Sequence, residues 1–389
     1  MNSHSCWAEI SLPQLKENLA LIRRHVGPQR KILAVVKADA YGHGAVPVSR
    51  ALEEAGVEML GVAAVSEGIE IRQGGVRTPI LCLTGFFPGE EKDLLAHNIT
   101  PGITEVGQVE RLEKAAQGLG RRVRCHVKLD TGMGRLGVPC AELPRLLDAL
   151  AASPAGGGAS RPLELEGLYT HFASSEDFTC DQTADQLARF QEACQQFTAR
   201  GFRPPLIHLA NTGAIVARPD TWGTMVRPGS LLYGYLSFFK FPAGQDRSAE
   251  FARQVPVKPV LTLKAKIFLV RDYPAQAPLG YGANFVTRRP SRIAVLRIGY
   301  GDGWRRGLSG RCRAIIRGCY APTVGTIGMD LTLADVTDVP QARPGDHAVL
   351  IGSNGNASIP PTEPARALGT VASEVLSGLG RRVTRLYRD

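Results

Sequence analysis

The sequence lacks most features that would set it apart from an ordinary globular protein. No apolar run approaches the roughly 18 residues that a membrane span needs. The opening MNSHSCWAEISLPQL has no basic stretch followed by an apolar one, so no secretory signal is expected and the expected compartment is the cytoplasm. The eight cysteines, scattered from Cys6 to Cys319, form no C-x-x-C pair. In a reducing compartment they are expected to be free and mostly in the core. A zinc site would need a tighter cluster, so no metal is expected. There is no G-x-G-x-x-G after the first apolar run, which argues against a dinucleotide-binding doubly wound sheet. Internal repeats and long low-complexity segments are also missing.

What is present is an ordinary core-forming composition. The 389 residues leave room for two or three domains. Hydrophobic residues make up 44% and charged residues 21%, enough to bury a sizeable core and too balanced for a disordered chain. The net charge of +10 is unevenly spread. Residues 1–245 carry 25 Lys and Arg against 25 Asp and Glu, whereas residues 246–389 carry 21 against 11. The arginines of this last third come as short pairs, Arg288–Arg289, Arg305–Arg306 and Arg381–Arg382, without a nucleic-acid-binding motif. Nucleic acid is therefore not expected as a partner, nor is a membrane. A basic surface of this kind favours anionic ligands or an acidic partner face.

Residues 30–235 have a rhythm. KILAVVK (31–37), MLGVAAV (59–65), PILCLTG (79–85), VRCHVKLD (123–130), LEGLYTHF (165–172) and LIHLAN (206–211) are short apolar runs, and TMVRPGSLLYG (224–234) closes the series. Helical stretches such as AVPVSRALEEAG (45–56), ELPRLLDALAAS (142–153) and TADQLARFQEACQQFTARG (183–201) lie between them. Alternating strands and helices mean a parallel sheet, and seven or eight units in this length suit a (β/α)8 TIM-type barrel. Lys37, Lys128, His171, Asn211 and Arg227 fall at the C-terminal ends of the runs, the face where barrel active sites sit. Any one of them alone could be a satisfied core group; five at equivalent positions are hard to explain that way. AAQGLGRR (115–122) and SPAGGGASRP (153–162) read as loops. Beyond about residue 245 the runs, including VLTLKAKIFLV (260–270) and DHAVLIG (346–352), read as strands between Gly/Pro turns, with one late helix over 362–380. The expected division is a barrel over 12–245 and a mainly β domain over 246–389, joined by an N-terminal strand over 1–11.

The most informative stretch is AVVKADAYGHG (34–44). A strand ending in Lys places an amine at the barrel mouth, where it can form a Schiff base with pyridoxal 5'-phosphate (PLP). The stretch resembles the PLP-lysine signature of the alanine racemases, a family of fold-type III PLP enzymes. The resemblance continues from AEISL (8–12) to RRVTRLYRD (381–389). It implies Lys37 as the Schiff-base lysine and Tyr41 as a phosphate-binding tyrosine. In VKLDTGMGRLG (127–137) it implies Arg135 at the PLP phenolic oxygen and the substrate carboxylate, with Lys128 as a lysine that several members carbamylate. Uncarbamylated, Lys128 would repel Arg135; the plainer reading pairs it with Asp130. His171, in GLYTHFASSED (167–177), would lie against the PLP ring. Asn211 and Thr212, in IHLANTG (207–213), fall at phosphate-loop positions, with Thr212 where Ser is usual. MVRPGSLLYG (225–234) would supply Arg227 to the pyridine nitrogen, and Gly229 and Ser230 to the phosphate. In the second domain, LGYGANF (279–285), IGYGDGWRR (298–306) and VGTIGMD (324–330) would supply Tyr281 as the second catalytic base and Tyr300 and Met329 at the substrate carboxylate, with Asp330 behind them. The family's Tyr281 comes from the partner subunit, so a homodimer with shared sites is implied. The implied activity is two-base racemisation of L- and D-alanine, supplying D-alanine for peptidoglycan.

One position departs from the pattern. TVASEVLSGLG (370–380) has Ser373 where the family usually has a tyrosine that bonds the phosphate and crowds the substrate. A weaker phosphate contact and a roomier pocket are expected. Serine, or a broader set of amino acids, is therefore the alternative substrate. Readings from other classes fit less well. A PLP carrier needs no second domain with Tyr281 and Tyr300, a decarboxylase would bring an acid to the ring nitrogen, and a basic binding protein needs no Lys37, His171 and Arg227 at strand ends.

Overall fold

The computed structural model describes residues 4–152, 162–236 and 238–388. Its first helix, Leu12–Val26, shows how locally the chain is specified. Ser11 caps it by accepting from the Gln14 N–H, Pro13 opens it, and Arg23, Arg24 and His25 complement its C-terminal dipole. Leu15, Leu19, Ile22 and Val26 form the buried stripe.

Eight parallel strands follow: Lys31–Val35, Met59–Val62, Ile80–Cys82, Ile99–Ile103, Val123–Asp130, Leu163–Tyr169, Leu206–His208 and Met225–Val226. Met225 pairs with Lys31, so the last strand returns to the first. The seam between the seventh and eighth strands is narrowed by two bonds, Thr224 N–H to the Ile207 carbonyl (2.9 Å) and Arg227 N–H to that of Ala210 (3.0 Å). The barrel is thus nearly closed, as the alternating rhythm implies. Leu33, Val35, Met59, Leu81, Leu206 and Met225 pack together as an apolar cluster of their own.

From Leu261 onward the chain is mainly β. A nine-stranded sheet runs Ala357–Ile359, His347–Asn354, Arg313–Ile316, Cys319–Val324, Thr332–Asp335, Ser291–Leu296, Leu261–Tyr273, Cys6–Ser11, Thr384–Arg388. His347–Asn354 also pairs with Leu261–Tyr273, which curls the sheet back on itself. In Leu261–Tyr273 the residues Leu261, Leu263, Ala265 and Ile267 are buried at every second position. Cys6–Ser11 lies between Leu261–Tyr273, antiparallel, and Thr384–Arg388, parallel. One continuous apolar cluster runs through both parts, from Ala8 and Leu15 to Ile351 and Leu376.

Several local expectations need correction. The segment read as a loop over 115–122 is helical up to Gly118, as the end of Gly107–Gly118. The late helix is two, Thr362–Leu368 and Ala372–Ser377, separated where Gly369 turns left-handed at φ +70. A further helix, Ser248–Gln254, precedes the β part. The loop expected over 153–162 lies outside the described residues except for Pro162. All eight cysteines are free, but only Cys6, Cys82 and Cys125 are buried, while Cys180 and Cys319 are exposed. Among the described residues no helix is long and apolar enough to cross a membrane.

Candidate active site

A cavity of about 250 Å³ opens at the C-terminal ends of the barrel strands. Lys37, Tyr41, Lys128, Arg135, His171, Asn211, Thr212, Arg227, Gly229, Ser230 and Ser373 all line it.

Lys37 follows the first barrel strand and opens an unusual turn. Ala38, Asp39, Ala40 and Tyr41 are all left-handed, with φ between 52 and 56. Each such L-residue costs on the order of 1–2 kcal/mol, so the turn must be held by its surroundings. Tyr41 stacks at 4.9 Å on Tyr233, whose hydroxyl donates to the Val35 carbonyl at 2.9 Å. Gly42 passes so close to the C-terminal helix that a Cβ would lie 2.2 Å from the Leu376 carbonyl oxygen. Burial, then Arg135, depresses the proton affinity of the Lys37 amine. Burial pushes the Tyr41 phenol up to about 12, so it remains a neutral donor. Gly229 lies against that phenol: a Cβ there would meet the hydroxyl at 2.6 Å.

Lys128 sits on the fifth strand, buried, with its ammonium 5.8 Å from the Tyr169 ring. Burial first, then Arg227, Arg135 and Lys37, lowers it to about 8. The Asp130 carboxylate is engaged elsewhere, accepting from the N–H groups of Gly132 (2.9 Å), Met133 (2.9 Å) and Gly134 (3.1 Å). This turn carries the chain to Arg135. Asp130 raises the proton affinity of Lys128, but less than burial and the three cations lower it.

Arg227 is buried and keeps its charge through backbone acceptors. It donates to the carbonyls of Thr170 (2.6 Å), Leu209 (3.0 Å) and His208. Burial lowers it to about 10, which still leaves a cation at neutral pH. Its guanidinium also faces His208 Nδ1 (3.1 Å) and His171 Nδ1 (3.3 Å). A guanidinium only donates, so both nitrogens act as acceptors and each ring carries its proton on Nε2. His208 Nε2 then donates to His126 Nδ1 (2.8 Å), and His126 Nε2 to Glu166 (3.2 Å). Burial, then Arg227, holds His171 and His208 well below the usual histidine range, in their neutral forms.

At the other end of the cavity, Asn211 caps a short helix through the Ala214 N–H (3.1 Å) and accepts from the Ser175 hydroxyl (2.7 Å). Thr212 Oγ1 accepts from the N–H groups of Gly229 (3.3 Å) and Leu231 (3.4 Å). Ser373 reaches the cavity from the helix Ala372–Ser377.

The remaining sequence candidates are elsewhere. Tyr281 is 74% exposed, Met329 54% and Tyr300 41%, and none lines the cavity. They form one exposed cluster: Tyr300 N–H donates to the Gly328 carbonyl (3.0 Å), Gly301 N–H to that of Met329 (2.8 Å), and the Tyr281 ring faces Gly328. Asp330 pairs with Arg382 at 2.8 Å, and Arg382 also holds Asp302. The reading of the sequence missed Tyr169, Thr84 and Glu176 in the cavity wall. Tyr169 was within reach, since it stands two residues before His171 and its ring stacks on His208 at 4.7 Å.

The family models for "Alanine racemase, N-terminal domain" and "Alanine racemase, C-terminal domain" match residues 10–237 and 260–387. The chain belongs to the alanine racemase family. It is 39% identical over 387 residues to the alanine racemase of Syntrophobacter fumaroxidans, covering 100% of this chain and 98% of that protein. Among solved structures, the alanine racemase of D-cycloserine-producing Streptomyces lavendulae superposes with a TM-score of 0.90 at 30% identity, covering 100% of this chain and 98% of that one. The alanine racemase of Bartonella henselae, with covalently bound pyridoxal phosphate, gives 0.83 at 30% identity over 99% of both chains.

Proposed function

We propose that this protein is a PLP-dependent alanine racemase that uses two bases, Lys37 on one face of the substrate and Tyr281 of the partner subunit on the other. The observation that carries the reading is the company Lys37 keeps: a buried amine of lowered proton affinity, sharing one cavity with Tyr41, Arg135, His171 and Arg227. The cavity fits the cofactor. Lys37 would hold it covalently. Tyr41, Asn211, Thr212, Gly229 and Ser230 would hold its phosphate, in a cradle that a Cβ at Gly229 would fill. PLP, when bound, supplies the electron-withdrawing system that makes an amino-acid Cα–H acidic.

The chain's own groups do the rest. Arg227, cationic at neutral pH, would oppose protonation of the cofactor's ring nitrogen and so favour simple proton exchange. His171 accepts from Arg227 at Nδ1 and so keeps its N–H at Nε2 to stabilise an approaching phenolate. Arg135 answers the substrate carboxylate, with Tyr300 and Met329 supplied beside Tyr281. The exposure of that cluster supports a homodimer in which each copy completes the other's site. We place the barrel at 12–245 and the second domain at 246–389 with the strand 1–11. In the cytoplasm the D-alanine formed would supply peptidoglycan.

Ser373 favours a second reading, a serine or broader amino-acid racemase, because a small hydroxyl stands in the cavity wall where the family usually has tyrosine. The test is D-enantiomer formation from L-alanine, L-serine, L-lysine and L-glutamate, followed by chiral chromatography of the PLP-loaded protein. Alanine is expected to be fastest. Lys37→Ala is expected to abolish turnover, and Tyr281→Phe to slow it by roughly 10²–10⁴-fold. No racemisation of any of the four by a PLP-loaded protein overturns the proposal.

A further inference from the structure

The left-handed turn after Lys37 has an external clamp. Glu67 stands in the first turn of the helix Val65–Gln73, which follows the second barrel strand. Its Oε1 accepts from the Ala38 N–H at 2.7 Å. Its Oε2 accepts from the N–H groups of Ala63 (2.7 Å) and Ala64 (3.1 Å). One carboxylate therefore ties the peptide that follows Lys37 to the end of a different strand. The helix-capping contacts to Ala63 and Ala64 would be made by many acidic residues at this position. The contact to Ala38 has nothing to do with capping, and it falls on the first of the four strained residues.

The charge of Glu67 matters as much as its reach. Lys37 is faced by Arg135 from the loop after the fifth strand, Arg227 from the end of the eighth, and Lys128 from within the fifth. His171, after the sixth strand, is neutral. Glu67 is the carboxylate that acts on Lys37 from the second strand's side, against Arg135 and Arg227.

We infer that Glu67 is a positioning residue for Lys37: it pins the left-handed turn at Ala38, and it supplies the negative charge that offsets the surrounding cations at the lysine amine. The inference rests on the reading of Lys37 as the cofactor lysine. Glu67 does not line the cavity and touches neither cofactor nor substrate on this reading.

The two roles separate experimentally. Glu67→Gln keeps an oxygen for the Ala38 N–H but removes the charge; Glu67→Ala removes both. A carboxylate favours the protonated amine, so its removal lets Lys37 lose its proton at lower pH. The readout is the rate at which the full-length protein, freed of cofactor, captures added PLP, followed by absorbance across pH. Capture needs the neutral amine. The half-maximal pH in Glu67→Gln is expected to fall by roughly 1 unit relative to the parent, with little change in melting temperature. Glu67→Ala is expected to melt lower, and Ala38→Gly in that background to recover much of the loss, because glycine accepts a positive φ without the clamp. A capture profile for Glu67→Gln that overlays the parent's, together with no rescue by Ala38→Gly, overturns the inference. Lys37→Ala separates that failure from failure of the functional reading. If Lys37→Ala no longer captures PLP covalently, the reading stands whatever Glu67 does. Covalent capture by Lys37→Ala overturns both.

Discussion

Replacing Lys128 by methionine is expected to stabilise the protein, and only below a particular pH. Lys128 is 6% exposed, so solvent does little to screen it. Its proton affinity falls from 10.5 to about 8, chiefly by burial and then by Arg227, Arg135 and Lys37. A shift of that size corresponds to about 3 kcal/mol against the charged form. Unfolded, Lys128 keeps its proton up to about pH 10.5; folded, it loses it near pH 8. The penalty is therefore complete below pH 8, shrinks as pH rises, and vanishes above about 10.5. Lys128→Met keeps the packing and removes the charge. In carbon-dioxide-free buffer at pH 7, chemical denaturation should show a gain of about 3 kcal/mol, fading to none at the alkaline end. The same shift makes about half of the amine neutral at pH 8, against roughly 0.3% for an ordinary lysine. A neutral amine adds carbon dioxide through its nitrogen and releases one N–H proton to solvent, and the resulting carbamate would place a negative charge among three cations. Bicarbonate should therefore stabilise the parent and leave Lys128→Met unchanged, with a carbamate resonance from labelled bicarbonate. A methionine variant no more stable than the parent at pH 7 in carbon-dioxide-free buffer would refute the argument.

Other outcomes follow from single contacts. Ser373→Tyr should raise the apparent affinity for PLP and lower the serine-to-alanine rate ratio; equal ratios in both proteins would show that Ser373 does not set side-chain size. Gly42→Ala forces a side chain onto a φ of +81 and within 2.2 Å of the Leu376 carbonyl oxygen. It should cost about 2–4 kcal/mol, from left-handed strain plus overpacking, read as a fall in denaturation midpoint. An unchanged midpoint would mean that the C-terminal helix can shift away freely.

The fold was legible wherever apolar runs were continuous. Within MLGVAAV (59–65), Met59–Val62 is a strand buried at every position, because a parallel strand covered on both faces is apolar almost throughout, whereas VRCHVKLD (123–130) became a strand by alternating apolar and polar residues. ITPGI (99–103) was not picked out as a run, since Thr, Pro and Gly dilute it, yet its two neighbours hold it in the barrel. The helix Gly107–Gly118 was hidden by the glycines at its end, which read as a loop although Ala115 and Ala116 are good helix formers. At the site, residues at strand ends were readable from spacing and motif. The left-handed run at Ala38–Tyr41 was not, because Ala and Tyr do not favour positive φ and the single Asp39 does not specify four such residues in a row. That conformation comes from Glu67, Tyr233 and the C-terminal helix, which no local reading of residues 37–42 includes.

The sandwiching of Cys6–Ser11 between Leu261–Tyr273 and Thr384–Arg388 bears on how the chain is made. During synthesis residues 6–11 emerge before the barrel, and their two partners emerge some 250 and 370 residues after them. The barrel strands between them pair largely with near neighbours in sequence and can assemble early. The first strand must meanwhile wait with both edges open, a template for the wrong strand. Closing that sheet demands long-range pairing, which is slow. The barrel can thus pair before its flanking sheet exists, and Thr384–Arg388 closes the sheet to which Cys6–Ser11 belongs only after the barrel lies between them in the chain.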